Sequence, residues 1–378
     1  MSIVTVLNAI RSTATNAYQD TVPLATMENF VHVGESVLNG PEVIRNEFLN
    51  ALVNKIGLQL FNEKEFGNPL LFLKKGRLEY GQTIEDIFVE MAKAHNYITG
   101  TREGEEPPDQ YAINKAIADT AFYSVILGRQ YWKTIHEQDL KRAFLSQDGL
   151  GRLIAAIMLA IKNGENYDDY RMAIAIMARQ IEESKKNSKW KGEVKLLTLY
   201  NATVDEADAL TVDNCLESKD FLRFMSNQFK KWSNRITKPR SDLNNAGVTN
   251  WIPKESQRIM MLGDIQADID TNLMAWAYNS DRLAIGAIDE IDAWYSIGAD
   301  STGTVSPDDI KVKGDIGLGG EYPVVAVLYD ADMIKIYNKT QKMSQAHNAR
   351  GHYYNIFSTF EDIFAASPFH NFVVFSLT

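Results

Sequence analysis

Asp264, Asp268 and Asp270 fall within seven residues, and clustered carboxylate oxygens are the ligands a hard divalent cation takes. A plainer reading fits them better. Asp264 stands where a short apolar run ends, and Asp268 and Asp270 fall in the first turn of the helix expected next, where carboxylates complement the helix dipole. Glu85, Asp86 and Glu90 are candidates for general acid and base work. On a strand, however, Glu85 points opposite to Asp86 and Glu90, so the three make solvated edge charges rather than a convergent pair. His347 and His352 are five residues apart with Arg350-Gly351 between them, unlike the i, i+4 pair of a helical zinc site. Cys215 is the single cysteine, which rules out an intrachain disulfide and a Cys-based zinc site, and its acidic neighbour Asp213 opposes a thiolate. Ser344, Ser358 and Ser367 lack the strand-to-helix elbow of a nucleophile. The run Gly314-Asp315-Ile316-Gly317-Leu318-Gly319-Gly320 has neither dinucleotide-loop nor P-loop spacing. No catalytic, cofactor-binding or metal-ligating residue is assigned. The rival from the enzyme class is an α/β hydrolase or nucleotide-binding protein that works through residues 194–320.

Two basic spots are left: Lys74-Lys75-Gly76-Arg77, and Lys230-Lys231 with Arg235, Lys238 and Arg240, where Phe229 and Trp232 interleave. Aromatics among cations suit single-stranded nucleic acid. Yet the chain carries 39 Lys and Arg against 49 Asp and Glu, a net charge of -10, and neutralising phosphates needs concentrated cations. An acidic protein partner fits better. A third group, Lys185, Lys186, Lys189 and Lys191, places cations where a helix is expected to end. No apolar run approaches the ~18 residues that span a bilayer, and the first twenty residues do not read as an export leader. A membrane partner is not expected.

The 378 residues suggest two or three lobes. Residues 2–60 read as an extended arm with short helices, one of them at 42–56 after Pro41. Strand-like runs at 83–91 and 121–135 suggest a long hairpin, with Gly128 as a bulge and an exposed tip at 100–109 rich in Gly, Pro and charge. Leu150, Leu153, Ile154, Ile157, Met158 and Ile161 form one helical face; past an expected stop at Asn163-Gly164 the pattern resumes, giving one long helix or a broken pair over roughly 140–183. An α/β lobe follows, with helices at 218–233 and 267–278 and strands at 258–262 and 284–288, and Ser218 is a credible N-cap. Runs at 322–337, 353–364 and 369–377 suit closing strands.

Several ordered motifs add a resemblance. Asn8-Ala9-Ile10-Arg11, Val22-Pro23-Leu24-Ala25-Thr26 and Leu52-Val53-Asn54-Lys55-Ile56-Gly57-Leu58 come first. Asn68-Pro69-Leu70 to Lys74-Lys75-Gly76, Gly81-Gln82-Thr83-Ile84-Glu85-Asp86-Ile87 and Asn348-Ala349-Arg350-Gly351-His352-Tyr353-Tyr354-Asn355 follow. With these the chain resembles the major head proteins of the phi-twenty-nine group of small podophages. The resemblance implies the α+β tailed-phage capsid fold, also called the Hong Kong ninety-seven fold. It implies an N-terminal arm at 1–65, an E-loop hairpin at 66–137, a spine helix at 138–193, a mainly axial domain at 194–312 and peripheral strands at 313–378, with no room after Thr378 for an immunoglobulin-like domain. The function implied is a virion shell made in the host bacterial cytoplasm from hexamers and pentamers of this chain, with scaffolding protein and portal as assembly partners. The shell would enclose double-stranded DNA with an acidic wall that does not grip it. Lys74, Lys75, Arg77, Glu85 and Arg350 are the expected inter-subunit contacts. Gly76, Gly81, Gly128 and Gly164 are the expected hinges.

Overall fold

The computed structural model describes residues 3–56, 65–78, 84–92, 94, 111, 113, 118–123, 125–144, 149–274, 287–297, 304–314 and 323–378. Contacts divide the chain into two interleaved units. One comprises Met1–Leu71, Leu127–Tyr170 and Asn338–Asp362; the other comprises Phe72–Ile126, Arg171–Tyr337 and Ile363–Thr378.

In the first unit the N-terminal residues form helices α1 (Ile3–Thr13), α2 (Asn16–Thr21), α3 (Phe30–Leu38) and α4 (Glu42–Ile56). This is more helix than an extended arm. The Thr15 side chain caps α2 by accepting from the Tyr18 N–H, and Pro23 follows where that helix has ended. Leu7, Ile10, Tyr18, Val37 and Phe48 then form one core with Ile135, Leu140, Ile154, Tyr354 and Ile356. The interrupted pattern of the arm therefore reflects short helices that share a core, each too brief to be stable alone.

Strand β4 (Val125–His136) runs into α5 (Glu137–Phe144), and α6 (Gly149–Lys186) is an unbroken helix of 38 residues. The expected stop at Asn163-Gly164 is absent. Glycine in a helix interior costs about 1 kcal/mol relative to alanine, but here a Cβ at Gly164 would lie 3.0 Å from Tyr131 Cε1. The glycine serves the close approach of α6 to β4. Asn163 also has a tertiary partner, because its side chain accepts from the Phe66 N–H at 2.9 Å.

The second unit is built on a five-stranded sheet ordered β5 (Glu193–Lys195), β14 (Phe372–Ser376), β11 (Val324–Asp330), β6 (Gln257–Leu262), β7 (Ala287–Ile291). β11 lies antiparallel to both β14 and β6, while the outer pairs β14–β5 and β6–β7 are parallel. Every residue of β11 is buried, as the continuous apolar run from Val324 to Tyr329 requires of a central strand. Helix α8 (Lys219–Arg235) contributes Phe221, Leu222, Met225 and Phe229 to the core, and the Phe229 ring meets Phe375 at 4.6 Å. Ser218 is its N-cap, accepting from the Phe221 N–H. Helix α9 (Gly263–Met274) begins a few residues earlier than the pattern suggested, so Asp264 joins its first turn and Asp268 falls one turn later.

A second five-stranded sheet has the order β1 (Lys74–Arg77), β12 (Ile334–Asn348), β13 (Tyr353–Ala366), β4, β9 (Thr304–Val305). Two expectations change here. The run at 322–337 is broken by a turn at 331–333, and β12 continues through polar residues to Asn348. The run at 121–135 is also two strands. Its first part belongs to β3 (Ala118–Tyr123), which pairs antiparallel with β2 (Ile84–Val89), and its second part is β4 in the larger sheet.

Candidate assembly surface

The register of the β2–β3 hairpin sets Ile84 opposite Tyr123, Glu85 opposite Phe122, Ile87 opposite Thr120 and Val89 opposite Ala118. Side chains alternate between faces, so Glu85, Ile87 and Val89 share one face with Phe122. That face is open: Ile87 is 59% exposed, Val89 55% and Phe122 67%. An isolated two-stranded hairpin is marginal in water, so the opposite face must be anchored. Phe88 stacks on Phe369 at 5.7 Å with the ring planes 22° apart, and the Tyr123 hydroxyl donates to Asp86 at 2.8 Å.

The Asp86 carboxyl titrates below its ordinary 3.8. Burial pushes it up, but hydrogen bonds from Ser367 and Tyr123 and the charges of Lys335 and His370 outweigh that. A depressed carboxyl contributes stability above the unfolded value and loses it as pH falls through the folded value. Asp86→Asn should therefore cost up to about 1 kcal/mol at pH 7, with the gap to the wild-type chain closing below pH 3.8. Denaturant unfolding of both chains at pH 7 and along a descending acid series measures it, and a gap that does not narrow as pH falls below 3.8 would refute the anchor.

The expected contact residues are dispersed. Lys74, Lys75 and Arg77 lie in β1, with Lys75 and Arg77 exposed and Lys74 half-buried. The Lys75 Nζ donates to Asp332 at 2.9 Å within the chain. Glu85 is exposed on the open hairpin face. Arg350 lies exposed in the turn between β12 and β13, where the Asn348 side chain accepts from the N–H groups of Arg350 (3.1 Å) and Gly351 (2.9 Å). Among the glycines, Gly76 has φ +151°, a value that L side chains rarely adopt. Gly128 lies inside β4, Gly164 inside α6, and Gly81 outside the described residues. Phe229, one of the two aromatics among the second basic cluster, belongs to the core rather than to a binding surface.

Three ionic hubs escaped the sequence pattern. Arg129, 5% exposed, reaches Asp169 at 2.7 Å and also pairs with Asp362, whose other oxygen accepts from Asn338 at 2.9 Å. Glu165, Asp169 and Asp362 offer carboxylate oxygens within 4.8 Å of one another. The Arg129 guanidinium supplies positive charge at that point, so the group reads as an ion network. Arg258 forks Asp289, which also accepts from the Tyr329 hydroxyl at 2.6 Å. Glu137, at the start of α5, faces Arg45 of α4 at 3.3 Å, His347 at 3.4 Å and His352 at 3.8 Å, which joins three elements of the first unit. These groups are structural. Each charge is held by a partner that no local spacing announces.

The described residues thus present an apolar sheet face with no catalytic constellation beside it, and such a face suits a partner more than a substrate. A family model described as Phi29-like phage major capsid protein matches residues 7–376. The chain belongs to that family. It is 28% identical to the major capsid protein of Bacillus phage B103 over 98% of this chain and 72% of that one. It is 25% identical to the major capsid protein of Streptococcus phage Cp-1 over 98% of this chain and 93% of the relative. A solved capsid structure of Staphylococcus phage Andhra superimposes with a TM-score of 0.52 at 13% identity, covering 85% of this chain and 88% of that chain. That likeness concerns the fold, which is the α+β fold of tailed-phage capsid proteins. The hydrolase or nucleotide-binding alternative at 194–320 finds no support in any of these relationships.

Proposed function

We propose that this chain assembles as hexamers and pentamers into a closed head shell around double-stranded DNA, and that it has no catalytic role. The open apolar face of the β2–β3 hairpin carries the proposal. Ile87, Val89 and Phe122 cannot be buried by their own hairpin, and a shell removes such faces from water by covering each with a neighbour. In this reading residues 1–65 act as the arm, 66–137 as the E-loop, 138–193 as the spine, 194–312 mainly as the axial domain and 313–378 as peripheral strands. Lys74, Lys75, Arg77, Glu85 and Arg350 serve contacts between copies, and Gly76 and Gly81 accommodate the two capsomer settings, whereas Gly128 within β4 and Gly164 within the unbroken α6 belong to regular elements. Scaffolding protein and portal are the assembly partners in the host cytoplasm. The net charge of -10 suits a wall that does not adhere to packaged phosphate.

The test is Ile87→Asp combined with Phe122→Asp, both exposed and so harmless to the core. Shell yield by sedimentation and negative stain should fall to background while far-UV circular dichroism stays that of the wild-type subunit. Normal shells from the double variant would remove the hairpin face from the mechanism. A wild-type chain that stays a compact monomer with scaffolding protein present would sink the shell reading itself.

A further inference from the structure

The turn between β13 and β14 carries the seat of the β2–β3 hairpin. The Ser367 side chain hydrogen-bonds Asp86 and the Phe369 ring stacks on Phe88, so two anchors of the hairpin come from residues two apart on one turn. That turn is itself fastened. The Ser367 N–H donates to the Met333 carbonyl at 2.8 Å, and His370 Nδ1 lies 2.9 Å from Asp330 Oδ2. The other Asp330 oxygen accepts from the Asp332 N–H at 3.1 Å, and Asp332 holds Lys75 of β1, the strand that leads toward the hairpin. His370 therefore stands where the turn under β2 meets the turn between β11 and β12.

Charge makes this junction sensitive to one proton. Asp86, Asp330 and Asp332 place three carboxylates around it, and the cations that bear on Asp86 and Asp332 besides His370 are Lys75 and Lys335. Of the phenols, Tyr123 donates to Asp86 and has Tyr337 near it, and burial pushes the Tyr123 ionisation up, so it stays neutral. From the loop after α8 the contacts are neutral too: Asn250 Nδ2 donates to the Phe369 carbonyl at 2.8 Å and the Ala246 N–H to the Pro368 carbonyl at 3.1 Å. Among these described groups two ammonium charges face three carboxylates, and an imidazolium at His370 supplies the missing charge. Imidazole is the side chain whose charge ordinarily changes between pH 5 and 8, and this one, 20% exposed, is open to solvent protons. Asp86 and Asp332 titrate below 3.8 and keep their charge over that interval.

We propose that His370 is a proton-operated clamp on the base of the hairpin. Charged, it locks the turn under β2 to Asp330 and steadies the β2–β3 face for assembly; neutral, it lets the base loosen. The consequence for assembly rests on the shell reading, since the steadied face is the one that meets neighbours there. A neutral imidazole can still donate one hydrogen bond to Asp330, so the clamp weakens rather than breaks. The clamp is at full strength at the acid end of the interval and fades as pH rises.

Hydrogen exchange of dissociated subunits tests it, because local opening sets the protection of hairpin amides. Protection of β2 and β3, taken relative to the unstructured rate at each pH, should be about fivefold higher at pH 6 than at pH 8, the size by which a charged hydrogen bond exceeds a neutral one. Protection of β11 should be equal at the two values, and it reports whether each variant is folded. His370→Gln keeps a donor for Asp330 without the titrating charge, so its hairpin should show the pH 8 protection throughout. Asp330→Asn should likewise abolish the step. No step in the wild-type chain, or a step that survives in His370→Gln, would overturn the clamp. Shell yield should follow the same pattern, higher at pH 6 for the wild-type chain and level for His370→Gln. Equal wild-type yields at both pH values would overturn the role in assembly and leave the shell reading standing. A wild-type chain that shows the exchange step but makes no shells at either pH with scaffolding protein present would sink the shell reading and uphold the clamp.

Discussion

Arg129→Met should destabilise the subunit by about 3–5 kcal/mol, the range seen when one partner of a buried ion network is removed. The arginine side chain is 1% exposed, as is that of Asp169, and that of Asp362 is fully buried. Methionine fills similar volume, so the loss is electrostatic rather than a cavity effect. Two carboxylates would face an interior with no guanidinium to offset their desolvation, and Asn338 donates to only one of them. Denaturant unfolding of dissociated subunits at pH 7 measures the loss. Adding Asp169→Asn and Asp362→Asn to the methionine variant should recover part of the loss. A variant within about 1 kcal/mol of wild type would show that water or a second cation reaches the site.

Arg258→Met should cost less, about 2–3 kcal/mol, because its side chain is 24% exposed while Asp289 is 2% exposed. Among the described residues, Asp289 would keep the Tyr329 hydroxyl, whose own ionisation is pushed far up by burial and then by the Asp289 charge. Packing is lost as well. The Arg258 guanidinium carbon lies 3.8 Å from the centroid of the Phe72 ring, a cation–π contact that methionine does not replace. Arg258→Lys should recover little, since an ammonium cannot fork both carboxylate oxygens while lying flat on the ring. The midpoint of urea unfolding distinguishes the three chains. Equal midpoints for Lys and Arg would make the interaction a point charge and nothing more.

Local pattern was legible wherever one element buries one face of itself. Helix α4 occupies Glu42–Ile56, the span its apolar spacing and Pro41 indicate, and Ser218 caps α8 as its residue type suggests. The open face of β2 was legible in principle too, because Ile87 and Val89 alternate with polar or anchored neighbours. The expectation that 121–135 forms one strand failed because periodicity says which residues share a face but not which neighbour a strand chooses. The expected stop at Gly164 failed for a related reason. Glycine's intrinsic penalty is local, whereas the Tyr131 ring that calls for a glycine arrives from another element.

Composition and spacing by themselves established an acidic chain with a single cysteine, strong helical and strand periods, no assembled catalytic motif and the ordered segments that carry the family resemblance. Those properties are written in neighbours along the chain. Which charges meet was decided by the tertiary structure alone. Arg129 finds Asp362 across 233 residues and Lys75 finds Asp332 across 257, and the Lys191 N–H that follows α6 meets the carbonyl of Asp242, whose carboxylate Arg240 forks. Coulomb attraction and desolvation depend on distance and burial in space, and no spacing along the chain encodes either.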